Sequence, residues 1–349
     1  MSRILILYTG GTIASAGQPL APMPVALFAE VLRTRGLLPP AAHCELRALD
    51  KPLDSASMQP ADWGQIARSL LAAWSHFDGF VVLHGTDTLA WTAAALSYLL
   101  PGIDKPVVLT GSQYPLAYEN SDAPRNFSDA LAVAATAQLQ EVMVCFAGQV
   151  LRGNRAIKRS AQALEAFVSP RCSPLARVED GVVKLDAQAL LPARRAEQAL
   201  SERRTALLAE LVELEKGLAA ATVWVLCVHP GFPVAMLQAA LSLPAPPAAW
   251  LLVCYGSGNA PQDEAFLAAL AAAQARGIAL LAISQCEHGR VEMMTYQAGS
   301  SLAAVGVVGG ADLCLPAAQA KLVLLQARGL RGQALLQAML QPLAGELVV

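Results

Sequence analysis

A chain of 349 residues is long enough to bury two separate hydrophobic cores. Its charge is nearly balanced, 25 basic residues against 27 acidic, which excludes the broad positive field of a nucleic-acid or anionic-membrane binder. Seven cysteines without a Cys-x-x-Cys pair and five histidines without ligand spacing argue against a disulfide framework and a metal site, so neither metal nor cofactor is expected.

Hydrophobic residues make up 55% and the mean hydropathy is +0.43, so membrane spans have to be considered. Between Gly217 and Gln262 there is no Asp, Glu, Lys or Arg. Yet Pro230, Gly231, Pro233, Pro244, Pro246 and Pro247 cut that stretch into pieces shorter than the roughly 20 apolar residues a spanning helix needs. The N-terminus lacks signal-peptide organisation. A cytoplasmic protein with no membrane partner is expected.

In chain order, Leu5 to Tyr8 form an apolar run without polar alternation, the pattern of a strand covered on both faces in a parallel sheet. Gly10 and Gly11 break it and leave Thr12 at the carboxyl end of the strand, where open α/β sheets place their ligands. Residues 15 to 24, rich in Gly and Pro, read as a connector or as a lid. A helix over 24–35 and a strand over 44–48 follow. Lys51 to Met58 then presents Asp54, Ser55 and Ala56 at a strand terminus, ahead of a helix over 60–74.

The strand pattern repeats at Gly79 to Leu83, followed by His84-Gly85-Thr86-Asp87-Thr88 and a run of helical composition. Asp87 and Thr88 suit a helix N-terminus. Two strand-end hydroxyls, Thr12 and Thr86, with one carboxylate make a candidate nucleophile site. A strand over 106–110 ends in Gly111-Ser112-Gln113, residues 114–126 read as a loop into a helix over 127–137, and a strand covers 141–146. Lys158 follows an Arg152-Gly153-Asn154-Arg155 turn on irregular structure.

Composition changes over residues 186–217, where Gly and Pro nearly vanish and an exposed, partly helical connection is expected. Arg194-Arg195 and Arg203-Arg204 read as a solvated face. From Thr222 a second series of strand, turn and helix begins, with strands over 223–228, 249–254 and 278–284. Gly256-Ser257-Gly258 lacks the lysine of a phosphate loop and the third glycine of a dinucleotide fingerprint, which disfavours nucleotide binding. The expected fold is α/β: a larger N-terminal, mostly parallel sheet flanked by helices (1–185), a linker (186–221), and a smaller C-terminal parallel-sheet α/β domain (222–349).

The segments YTGGTIAS (8–15) and LHGTDTLAWTA (83–93) resemble the two signatures of bacterial L-asparaginases, most closely the cytoplasmic type I branch. LTGSQYPLAYENSDAPRN, RGNRAIK, YGSGNAPQ, SQCEHGRV and VGVVGGAD are similar to further family blocks and stand in family order. The resemblance implies hydrolysis of L-asparagine to L-aspartate and ammonia through a threonine acyl-enzyme. The residues alone leave open which threonine takes the acyl group; the resemblance assigns it to Thr12, with Thr86, Asp87 and Lys158 as the second catalytic group. It also implies a substrate cradle of Gly11, Asp54, Ser55, Ala56, Gly85, Thr86, Asp87 and Ser112.

Asn259 either caps the following helix or, as the resemblance implies, reaches the site of a neighbouring chain in a homodimer or homotetramer. Family members often bring a lid tyrosine to the nucleophile, but residues 13–30 contain none. Tyr296, in EMMTYQAG, a block that resembles one contributing to the site in some relatives, either takes that role through its hydroxyl or is an ordinary packed or surface tyrosine. The competing readings are a glutaminase-type amidotransferase subunit, for which an added N-terminal domain is expected and not seen before Thr12, a lysophospholipase-like or other ester or amide hydrolase, and an amino-acid sensor without turnover.

Overall fold

The computed structural model describes residues 2–38, 40, 43–192 and 199–348, so the Arg194-Arg195 pair lies outside the described residues. The chain forms two compact units, the first ending at Val212 and the second beginning at Glu213.

In the first unit the elements run β1 (Ile4–Gly10), a short hairpin β2 (Ser15–Ala16) and β3 (Ala21–Pro22), α1 (Val25–Thr34), β4 (Cys44–Leu53), α2 (Pro60–Ala73), β5 (Gly79–Leu83), α3 (Leu89–Leu99), β6 (Val107–Thr110), α4 (Ala123–Ala134), β7 (Val142–Phe146), β8 (Gln149–Arg152), β9 (Ile157–Lys158), β10 (Phe167–Val168), β11 (Ala176–Glu179) and β12 (Val182–Leu185). The main sheet has the order β12-β11-β8-β7-β6-β5-β1-β4. Pairs from β7 to β4 are parallel, and the other half is antiparallel. β1 therefore lies between β5 and β4, buried along its whole length.

Alternation along these strands explains their unbroken apolar composition. Ile4, Ile6, Tyr8, Val81 and Leu83 share a core with Phe28 and Leu32 of α1 and Phe127 and Val133 of α4. Leu5, Leu7, Phe80 and Val82 point to the opposite face, where Trp74 stacks on Phe80 at 4.6 Å between ring centroids. The Tyr8 hydroxyl, buried between layers, donates to the Met23 carbonyl at 2.8 Å, and Met23 N–H donates to the Ala14 carbonyl at 2.8 Å. Residues 15–24 thus leave and rejoin the sheet end as a small hairpin.

Two sequence expectations shift. The strand read over 44–48 continues to Leu53, with a register slip that carries Leu53 alongside Gly10 while Ala48 stays opposite Tyr8. The helix expected over 127–137 begins at Ala123 instead. Pro124 sits in its first turn, where no backbone N–H is required, so a residue read as a loop signal belongs to the helix.

α5 (Leu200–Ala220) crosses the division between the units and buries a stripe of Leu200, Leu207, Leu211, Leu214 and Leu218. The second unit holds four parallel strands in the order β13-β14-β15-β16: β13 (Val223–Cys227), β14 (Ala249–Cys254), β15 (Ala279–Ser284) and β16 (Val308–Gly309). Its helices are α6 (Val234–Leu241), α7 (Glu264–Ala275), α8 (Gln297–Ala304), α9 (Leu315–Ala327) and α10 (Gly332–Met339). Lys321 of α9 is fully buried and spends its ammonium donors on the Met339 and Gln341 carbonyls and on Glu346, which ties the C-terminal segment down. Among the described residues no helix is long and apolar enough to cross a membrane.

Candidate active site

Four neighbouring strand ends of the first sheet converge because glycine occupies each point of closest approach. Gly10 and Gly11 have φ of 119° and 91°, a region that L side chains rarely adopt. A Cβ at Gly10 would lie 2.3 Å from the Leu53 carbonyl oxygen at the end of β4. One at Gly11 would lie 2.3 Å from the Gly85 nitrogen, one at Gly85 2.3 Å from Ser55 Oγ, and one at Gly111 2.4 Å from the His84 carbonyl oxygen. Backbone therefore meets backbone across the ends of β6, β5, β1 and β4. Thr12 opens a one-turn 3₁₀ helix directly after Gly11 and is partly exposed, with Ile13 and Ala14 buried beneath it.

Thr86 sits one residue beyond Gly85 and is 6% exposed. Lys158, 72 residues further along the chain, reaches it: Nζ donates to Thr86 Oγ1 at 2.8 Å and to Asp87 Oδ1 at 2.9 Å. Two features place this lysine. Lys158 pairs antiparallel with Phe167, and the turn before it packs on α3, where a Cβ at Gly153 would be 3.1 Å from the Ala93 carbonyl oxygen. The lysine side chain is 19% exposed against 61% for Asp87, so the carboxylate faces the open side.

Ser55 is buried, and its carbonyl accepts from Thr88 Oγ1 at 2.7 Å, which locks the Asp54–Ser57 turn to the start of α3. Asp54 Oδ1 accepts from Ala56 N–H at 3.1 Å. Ser112 lies at the end of β6, fully buried, and its hydroxyl donates to the Tyr114 carbonyl at 2.6 Å. That bond uses its hydroxyl proton and leaves the oxygen an acceptor.

Thr12, Gly11, Asp54, Ser55, Ala56, Gly85, Thr86, Asp87, Ser112 and Lys158 all belong to the first unit. Asn259 and Tyr296 belong to the second. Asn259 closes a turn by a two-way backbone bridge with Tyr255, and α7 is capped by Asp263, whose carboxylate accepts from Phe266 N–H at 2.9 Å. Asn259 is therefore not the helix cap. Tyr296 precedes α8 and is 58% exposed.

One residue was missed by the sequence reading although it stands inside a quoted motif. His84 is fully buried under the Thr86 loop, with Nδ1 2.7 Å from the Gly85 carbonyl oxygen and Nε2 2.9 Å from Thr92 Oγ1. A carbonyl can only accept, so Nδ1 carries the proton and Nε2 accepts from Thr92. Burial pushes its pKa down to about 4, against a smaller opposing effect of the Gly85 bond. Among the described residues no group of three or more His, Cys, Asp or Glu is placed to hold a metal ion.

Reactive groups gathered at the carboxyl ends of a mostly parallel sheet define the class: an α/β protein whose site is built from strand-end loops. Residues 3–191 match the family model described as asparaginase, N-terminal, and residues 222–339 match the glutaminase/asparaginase C-terminal domain, so the chain belongs to the asparaginase family. It is 36% identical to L-asparaginase 1 of Escherichia coli K12 over 99% of this chain and 97% of that protein. The thermostable L-asparaginase from Thermococcus kodakarensis superposes with a TM-score of 0.84 at 27% identity, covering 99% of both chains. L-asparaginase I from Vibrio cholerae superposes at 0.83 and 30% identity, covering 100% of this chain and 99% of its own.

Proposed function

We propose that this protein hydrolyses L-asparagine to L-aspartate and ammonia through an acyl-enzyme on Thr12. The observation that carries the reading is the Lys158–Thr86–Asp87 cluster on the loop whose Gly85 touches the Thr12 turn. A threonine hydroxyl is a weak nucleophile and needs help with its proton. Because Lys158 donates to Thr86 Oγ1, the Thr86 hydroxyl proton is left to point at a third group. That suits it to protonate the departing nitrogen.

In the first step Thr12 Oγ1 attacks the side-chain amide carbon, the C–N bond breaks, and the Thr12 proton ends on the leaving ammonia by way of Thr86 and Lys158. Backbone N–H groups around Gly11 and the Gly85–Thr86 peptide suit the developing oxyanion. Water then cleaves the ester and releases aspartate. Asp87 would meet the substrate ammonium, with Asp54, Ser55 and Ala56 at the α-substituents and Ser112 at the wall. On this reading residues 1–185 form the catalytic domain and 222–349 the second domain, joined by 186–221. Asn259 would complete the site of a neighbouring chain in a cytoplasmic homodimer or homotetramer, and the Tyr296 hydroxyl would contact Thr12.

The test is ammonia release with asparagine and glutamine measured side by side, with Thr12→Ala as the blank. Release from asparagine by the unaltered chain alone is expected. Release from neither amide would sink the proposal.

A further inference from the structure

Asp122 stands at the N-terminus of α4 and yet its carboxylate does not cap the backbone N–H groups of that helix. An aspartate there ordinarily accepts from the N–H groups of the first helical turn. Its carboxylate turns instead to the end of β6. Oδ1 and Oδ2 accept from Gln113 N–H at 3.1 and 3.0 Å, and Oδ1 accepts from Tyr114 N–H at 3.0 Å. Asn126, one helical turn on and 1% exposed, completes the clamp. Its Nδ2 donates to the Gly111 carbonyl and to Asp122 Oδ2, each at 3.0 Å, and its Oδ1 accepts from Ala147 N–H at 2.9 Å. Asparagine is a poor residue for a helix interior, so its place in α4 has to be explained by what its amide holds.

The clamped turn is a wall of the active site. A Cβ at Gly111 would be 3.6 Å from Thr86 Cγ2, so the turn backs the methyl of Thr86 while Oγ1 of the same side chain accepts from Lys158. The turn is also tied to the segment after Lys158, since Gln113 Nε2 donates to the Ala163 carbonyl at 2.9 Å. We infer that Asp122 and Asn126 are positioning residues for the Thr86–Lys158 pair: they hold Gly111 to Tyr114 against the Thr86 methyl and so select the rotamer that presents its hydroxyl to the lysine. The inference rests on the proposed activity for its kinetic test and adds two residues that touch neither substrate nor the reacting atoms.

Asn126→Asp keeps the shape and the acceptor for Ala147 but sets a carboxylate oxygen against the Gly111 carbonyl. It is expected to lower kcat by about tenfold or more per folded molecule with KM within about twofold, the pattern of misplaced groups rather than lost binding. Asp122→Asn, at a half-buried position, turns a donor toward Asn126 and is read the same way should the first variant fail to fold. Thr86→Ser supplies the readout that a purely structural role would not move, because serine keeps the hydroxyl and lacks the methyl the wall supports. Combined with Asn126→Asp, its loss should be smaller than the product of the two single losses. Losses that simply multiply, or clamp variants with unaltered kcat, would overturn the inference.

A substrate-free measurement separates this result from the activity itself. NMR of 13C-labelled lysine, with Lys158→Met identifying the resonance, should show the Lys158 ε-carbon signal displaced in the clamp variants, as a changed hydrogen bond from its amine to Thr86 requires. An unmoved resonance contradicts the clamp. If the unaltered chain releases no ammonia from asparagine, the functional reading fails and this resonance alone decides the clamp.

Discussion

At the carboxyl ends of the first sheet, glycine is a packing requirement. A Cβ at Gly11, Gly85 or Gly111 would fall 2.3–2.4 Å from the Gly85 nitrogen, Ser55 Oγ or the His84 carbonyl oxygen. At the corresponding ends of the second sheet, Gly231 after β13 and Gly256 after β14 have φ of 77° and 44°, and nothing lies within 4 Å of the Cβ position. The first sheet is parallel from β7 to β4 and the second throughout, and both follow their strands with Gly-containing turns, yet the turns after β13 and β14 meet no backbone at Gly231 or Gly256. Gly231 and Gly256 serve conformation alone. A strand followed by a glycine turn therefore marks a place where a site can be built, and the neighbouring strand ends decide whether one is.

The sharpest way to break this contrast is to remove the groups that the first sheet gathers. Thr12→Ala, Thr86→Ala and Lys158→Met are each expected to lower turnover at least about a hundredfold with the fold retained, as loss of a nucleophile or proton-transfer group does. Near-normal rates for Thr12→Ala would remove it as the nucleophile.

The glycines themselves come next. Gly11→Ala meets both backbone and an unfavourable φ, and should cost about 3 kcal/mol or more of stability together with most of the activity. Gly256→Ala meets only the unfavourable φ and should cost about 1 kcal/mol. Urea midpoints read the difference, and equal costs would end the distinction drawn between the sheets.

Tyr296→Phe asks whether the second unit adds a group to the chemistry of the first. A loss of about 10- to 1000-fold in rate is expected for a hydroxyl that handles a proton or stabilises charge. A variant as fast as the unaltered chain would leave Tyr296 an ordinary exposed residue.

The effect at His84 leaves turnover aside and is read in stability against pH. Its pKa is about 4 in the folded chain against 6.5 when free, so between those values the unfolded chain binds more protons. The folded state is then favoured fully above pH 6.5, and stability falls as pH drops toward 4, by roughly 3 kcal/mol at about 1.4 kcal/mol per unit. His84→Gln should flatten the fall of Tm between pH 7 and 4. An unchanged slope would assign the acid sensitivity to other groups.

Periodicity and glycine placement settle much of the architecture from local order alone. Leu5 to Tyr8 and Phe80 to Leu83 read as doubly covered strands because burial on both faces demands unbroken apolar side chains, and Thr12 and Thr86 follow at their ends. Those signals are local in the chain, so no fold is needed to see them. Lys158 could be chosen only through the resemblance, since its partners lie 71 and 72 residues away and nothing in its own surroundings distinguishes it from a solvated lysine. His84 stood in a recognised motif without a role, because only burial against Gly85 and Thr92 gives its ring one. Asp122 read as part of a loop, and only the start of α4 at Ala123 turns its carboxylate toward Gln113 and Tyr114. The sequence by itself determined β1, β5 and β6, the turns that follow them and the hydroxyls those turns carry, while the antiparallel strands from β8 to β12 were not legible in it. Tertiary structure alone decided which strand ends touch, because that contact depends on sheet order and on backbone approaching backbone where no side chain intervenes.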